Sequence, residues 1–126
     1  MVTRVTVGDI SAYNVHFESR RGDDLRLAQL TELLDDAQQC ESDVQLLVAG
    51  DFNFNLTANP QDSVLMEAEF ENPFAGMGLP TISGPSAPRA IDWMLIRGRA
   101  QARSAQVHSL VRGSDHYPLS LTLELA

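Results

Sequence analysis

Carboxylate, amide and imidazole groups recur beside apolar runs in four short strings: Asn14-Val15-His16-Phe17-Glu18-Ser19, Gly50-Asp51-Phe52-Asn53, Ile91-Asp92-Trp93 and Ser114-Asp115-His116-Tyr117-Pro118. In the first, the two-residue period of a strand puts Asn14, His16 and Glu18 on one face, a polar stripe where a core is expected. Taken alone, a strand histidine is more often structural than catalytic. Asp51 and Asn53 leave an apolar run through a glycine that permits a sharp exit, and their alternation lets both side chains face the same way. An acid and an amide so placed suit a hard cation or a cation-bound water, because Mg²⁺ draws its oxygen ligands from one or two carboxylates, water and phosphate. Gly-Asp and Asn are equally common in turns, so this string by itself supports both readings.

Asp92 sits inside the otherwise apolar run Ile91–Ile96. A carboxylate there needs a partner to offset its desolvation, and a histidine on a neighbouring strand would provide one. We therefore expect an Asp92–His116 pair, which would fix one imidazole tautomer, raise its pKa and ready it to donate to a phosphoryl oxygen as charge develops. The plainer account is a strand-end surface histidine with a helper aspartate.

The elements that must position these groups can be read from periodicity. Val2–Val7 and Ile10–Phe17 read as a hairpin turning at Gly8-Asp9. From Asp23 to Cys40 the period changes: Leu27, Leu30, Leu33, Leu34 and Ala37 share a helical face, with Asp23 available as N-cap. Val44–Ala49, interrupted only by Gln45, has the composition of a strand buried on both faces. Pro60–Phe70 predicts a short helix opened by Asn59-Pro60. Asn72–Arg89, with four prolines and three glycines, predicts a long surface loop bordering the site. Ile91–Ile96, Gln101–Leu110 and Pro118–Leu125 complete the order β-β-α-β-α-β-β-β, a single α/β unit.

Composition sets outer limits. The chain has 126 residues, is 44% apolar and carries one cysteine, Cys40, expected to be a packed side chain. A net charge of -8 argues against wide, sequence-independent wrapping of nucleic acid, which depends on many basic contacts. All basic side chains are arginines, and Arg20, Arg21 and Arg89 lie beside the motifs, where bidentate phosphate contacts would be useful. No signal peptide or membrane-spanning run is visible, so the default expectation is a cytoplasmic protein without a membrane partner.

In this order, Asn-x-His, Gly-Asp-Phe-Asn, Ile-Asp-Trp and Ser-Asp-His-x-Pro resemble the later motifs of the endonuclease/exonuclease/phosphatase (DNase I-like) superfamily, spanning Tyr13–Leu119. Four ordered motifs carry a signal that no single one does. The stretch His16–Gly22 is also similar to the variant in tyrosyl-DNA phosphodiesterase-like members. The resemblance implies an α/β fold that is half of a DNase I-like two-sheet sandwich, with a mixed, mainly antiparallel sheet and two helices. Residues 1–126 would form the C-terminal half of such a domain.

Roles follow from the same resemblance. Asp51 would orient or activate the attacking water and share in metal binding, while Asn53 would position that water or the phosphate. His116, held by Asp92, would stabilise the pentacoordinate phosphorane. Asp115 would lie near the metal, Mg²⁺ or Mn²⁺. Asn14 and His16 would contact the scissile phosphate, and Ser19 and Arg20 would border the substrate, a nucleic acid or a small phosphorylated molecule; Arg89 is expected there too, from its place beside the motifs.

One departure stands out. Superfamily members carry an asparagine strand, and then the glutamate that is the principal Mg²⁺ ligand, ahead of Asn-x-His. Glu18, Glu32, Glu41, Glu67, Glu69 and Glu71 all fall in the wrong part of the order to replace that glutamate. The expectation is a sheet face without its usual cover, served by a missing N-terminal half or by homodimerisation, and low activity for the chain alone. A non-catalytic binding module is the alternative.

Overall fold

The computed structural model describes residues 1–20, 22–84 and 89–125. Two runs rich in β-branched residues form the opening hairpin: β1 (Val2–Val7) pairs antiparallel with β2 (Ile10–His16), and Gly8 supplies the positive φ of 59° at the turn. α1 (Asp23–Gln38) crosses over to β3 (Gln45–Asp51), which lies parallel to β2, as strands joined through a helix commonly do. After α2 (Gln61–Glu67) and a long loop, β4 (Asp92–Arg97) pairs antiparallel with β3 and completes the sheet order β1-β2-β3-β4. β5 (Gln101–Val107) and β6 (Leu119–Glu124) form a separate antiparallel pair. The observed sequence of elements is the one predicted.

Side-chain parity gives the four-stranded sheet two faces. On one, Tyr13, Val15, Leu46, Val48, Trp93 and Leu95 are buried in a single cluster with the α1 stripe Leu30, Leu33, Leu34 and Ala37 and with Leu65 of α2. Burial of each such leucine stabilises the fold by roughly 1.5–3 kcal/mol. The opposite face is covered only in part: Met94 packs into the core together with Ala105, Val107, Leu119 and Leu121 of the β5–β6 pair. Further along that face Val5, Val7 and Ile10 remain 57%, 73% and 37% exposed.

Several expectations shift. The run Val44–Ala49 is fully buried on one face only, through Leu46 and Val48, while Leu47 and Ala49 are half-buried. Its lone polar residue is a tie: Gln45 Nε2 donates to the Arg97 carbonyl at 3.0 Å and Oε1 accepts the Ala100 N–H at 2.8 Å. More than one sheet is present, because β5–β6 begins a second layer. Gly22, at φ 116°, occupies the N-cap of α1. Asp23 is the first helical residue instead, and it pairs with Arg26 at 2.7 Å. The Arg26 guanidinium, nearly buried, donates to the carbonyls of Glu18 and Arg20 at 2.9 and 2.6 Å and so anchors the loop after β2. α2 stops short of Phe70 because Glu69 takes φ 65° and the Phe70 N–H turns back to the Leu65 carbonyl. Cys40 is packed against the core, as expected. Arg21 and residues 85–88 of the predicted loop lie outside the described residues. Among the described residues no helix is long and apolar enough to cross a membrane.

Candidate active site

Strand register sets three ionisable residues abreast: His16 opposes Asp51 across β2 and β3, and Asp51 opposes Asp92 across β3 and β4. The parallel strands β2 and β3 finish here, whereas β4, being antiparallel, begins here. Asp92 therefore enters from the start of its strand. Gly50, at φ 143°, lets β3 pass close to β2 just before Asp51, since a Cβ there would stand 2.1 Å from the Val15 carbonyl oxygen. Asn53, at φ 55°, turns the chain away. Its backbone N–H donates to Asp51 Oδ1 at 2.9 Å and its Nδ2 donates to the Phe17 carbonyl at 2.8 Å. With Oδ1 so engaged, Asp51 Oδ2 faces two imidazoles, 3.9 Å from His16 Nε2 and 3.8 Å from His116 Nε2.

His116 comes from the segment before β6, which bridges to Ile82 of the long loop. Its Nδ1 lies 3.1 and 2.9 Å from the two carboxylate oxygens of Asp92. An ionised aspartate only accepts, so Nδ1 carries the proton and donates, and Nε2 is directed toward Asp51. Burial pushes the Asp92 pKa up, and the hydrogen bond to His116 together with the nearby Thr81 hydroxyl offsets this only in part. Burial of His116 acts to lower its pKa, but the hydrogen bond and charge of Asp92, with the charges of Asp51 and Asp115, outweigh it and leave the imidazole raised. Beside the pair, Ala49, Asp51, Asp92, Met94, Tyr117 and Leu119 line a crevice of about 260 Å³ between the two layers.

The predicted residues divide into two groups. Asp51, Asn53, Asp92, His116 and His16 are brought together as described. Asn14 lies exposed one side-chain repeat behind His16 on the same strand face. Ser19 and Arg20 are exposed in the loop after β2, where the Arg20 N–H donates to Glu18 Oε1 at 3.0 Å. Arg89 is exposed, and its carbonyl accepts the Thr81 N–H. Asp115 is exposed and accepts from the Ser114 hydroxyl at 3.3 Å. Thr81 is a participant that motif reading missed: 2% exposed, its Oγ1 accepts the N–H groups of Ile91 at 3.0 Å and Asp92 at 3.1 Å. The signal available in sequence was only a threonine after Pro80 in a loop.

Asp51, Asp92 and His116 hold donor atoms within 4.8 Å of one another. Asp92 is engaged by His116, which makes Asp51 the carboxylate free to serve a cation. That donor set fits a divalent ion that takes one carboxylate from the protein and its other oxygens from water and phosphate.

No protein-family model and no curated protein matches the chain. Solved structures do. It is similar to an endonuclease/exonuclease/phosphatase from Beutenbergia cavernae, with TM-score 0.75 and 22% identity, covering 98% of this chain and 38% of that one. It is similar to D. rerio TDP2 complexed with a single-strand DNA product, with TM-score 0.74 and 15% identity, covering 98% of this chain and 60% of that one. A mannosyl-6-phosphatase from Bacteroides thetaiotaomicron gives TM-score 0.66 and 16% identity, covering 92% of this chain and 51% of that one. The fold is thus half of a DNase I-like sandwich, the fold of endonuclease/exonuclease/phosphatase proteins. The chain spans about half the length of the structures it matches.

Proposed function

We propose that the chain is the C-terminal half of a Mg²⁺- or Mn²⁺-dependent phosphoester hydrolase. The observation that carries this reading is the Asp92–His116 pair, 2.9 Å at its shorter contact, with the second imidazole nitrogen directed toward Asp51 Oδ2. In this reading Asp51 Oδ2 accepts a proton from the attacking water and shares in holding the cation. His116, kept protonated by Asp92, donates from Nε2 to the phosphoryl oxygen as negative charge builds. Asn53 braces Asp51 through its backbone N–H, while Asn14 and His16 contact the phosphate from β2. Ser19, Arg20 and Arg89 border the substrate, and Asp115 adds negative charge near the cation. When bound, the cation would polarise the phosphoryl group and lower the pKa of the water. The substrate is a phosphoester, in nucleic acid or in a small phosphorylated molecule.

The proposed partner of the bare β1–β2 face is the N-terminal half of the same sandwich, because the chain covers only part of the structures it matches. A second copy of the chain is the other outcome, distinguished by sedimentation of the chain alone. With Asp51 as its free carboxylate, the chain alone should bind Mg²⁺ weakly and hydrolyse little. Supplied with the N-terminal half, it should cleave a single-stranded oligonucleotide or p-nitrophenyl phosphate in a manner abolished by EDTA. Asp51→Ala and His116→Ala should each remove roughly 10²-fold or more of that rate. Equal activity in EDTA would overturn the metal-dependent reading, and full rate in both variants would place the activity outside this site and favour the non-catalytic binding module.

A further inference from the structure

Thr81 ties together the two backbone segments that carry Asp92 and His116. A hydroxyl has two acceptor positions and one donor. Both acceptor positions of Thr81 Oγ1 are taken, by the N–H groups of Ile91 and Asp92 at 3.0 and 3.1 Å. The hydroxyl thereby fixes the backbone from which the Asp92 carboxylate reaches His116 Nδ1 at 2.9 Å. The Thr81 carbonyl meanwhile accepts the N–H of Tyr117, next to His116, at 2.8 Å. One residue, 2% exposed, thus binds the start of β4 to the segment that bears the imidazole.

We infer that Thr81 is a positioning residue: its hydroxyl holds the backbone at Asp92 and its carbonyl the backbone after His116, in the arrangement that brings the Asp92 carboxylate to His116 Nδ1 and thereby sets which imidazole nitrogen faces Asp51. Valine at this position keeps the shape, orphans one buried and one half-buried N–H group and releases the backbone that aims the carboxylate. Serine keeps the hydroxyl and loses only a methyl group. A residue that merely fills space would behave in the opposite way, tolerating valine and suffering from serine.

The test reads the ring nitrogens of His16, His108 and His116 in the ¹⁵N-labelled chain, at a pH well above the imidazole range. The wild type and Thr81→Ser should hold His116 as a single Nδ1–H tautomer. Thr81→Val should give a mixture, with His108, bonded to Ser120 at 2.8 Å, unchanged. A folded Thr81→Val chain with an unaltered His116 overturns the inference. Should Thr81→Val fail to fold by circular dichroism, Thr81→Ser decides: a retained single tautomer supports the hydroxyl's role, and a mixture overturns it. A further arm rests on the phosphoesterase reading. In the reconstituted hydrolase Thr81→Val should lower kcat roughly 10-fold or more with KM preserved, the scale of a misplaced catalytic group. A tautomer change in the chain, with no hydrolase activity in the reconstituted protein, would sink the phosphoesterase reading and leave the positioning role standing.

Discussion

The two faces of the four-stranded sheet end in different states. One is closed along β2 to β4 by α1 and α2, which arrive as connections between consecutive strands. The other is covered only where β5 and β6 reach it, and the apolar side chains of β1 and the start of β2 stay in solvent. The row of ionisable residues crosses this boundary. Side-chain exposure falls from 69% at His16 to 19% at Asp51 and 15% at Asp92. Charge therefore becomes costlier along the row, and the raised pKa values of Asp92 and His116 occur at its covered end. The difference teaches that the second layer does electrostatic as well as packing work.

The comparison can be broken most severely on the closed face. Leu95→Ala, at a fully buried position, should cost about 2–5 kcal/mol, read as a lower urea midpoint at unchanged m-value. Met94→Ala, on the opposite face beneath the β5–β6 pair and half-buried, should cost about half as much. Equal losses at the two positions would mean that the β5–β6 pair seals its face as well as the helices seal theirs.

A smaller effect should appear with pH. His116 has a folded pKa raised above the ordinary imidazole value of 6.5, so its contribution is fully present below that value and is lost as pH rises through the folded pKa. The side chain is 38% exposed, so solvent screening should keep this contribution under about 1 kcal/mol. Urea midpoints across neutral to mildly alkaline pH should fall in the wild type relative to Asp92→Asn, and a relative rise would refute the sign. Smallest of all, Val7→Thr on the bare face should change stability by no more than about 0.5 kcal/mol. A loss comparable with Met94→Ala would show that β1 is covered in solution.

The order of elements was legible because the period of the apolar residues changes from two to 3.6 and back, most plainly where Leu30, Leu33, Leu34 and Ala37 follow the alternating Tyr13, Val15 and Phe17. The meeting of Asp51, Asp92 and His116 was legible for another reason: a carboxylate inside an apolar run demands a partner. What stayed hidden depends on backbone groups or on competition between side chains. Asp23 looked like a cap, but Arg26 claims its carboxylate, and Gly22 makes the turn. Thr81 acts through the amides of Ile91 and Asp92, which no residue type announces. The second layer was obscured because Gln101–Val107 alternates weakly, with buried-side positions as small as Ala102 and Ala105.

Side-chain parity has an evolutionary corollary. The row His16, Asp51, Asp92 exists because three strands agree in phase, so losing or gaining a single codon between Gln45 and Gly50 would exchange Leu46 and Val48 for Leu47 and Ala49 at the helices. The same slip would swing Asp51 from beside the imidazoles into the apolar cluster. Lineages of this chain should therefore accumulate length changes in the loop between α2 and β4, ahead of Thr81, and admit none inside β3.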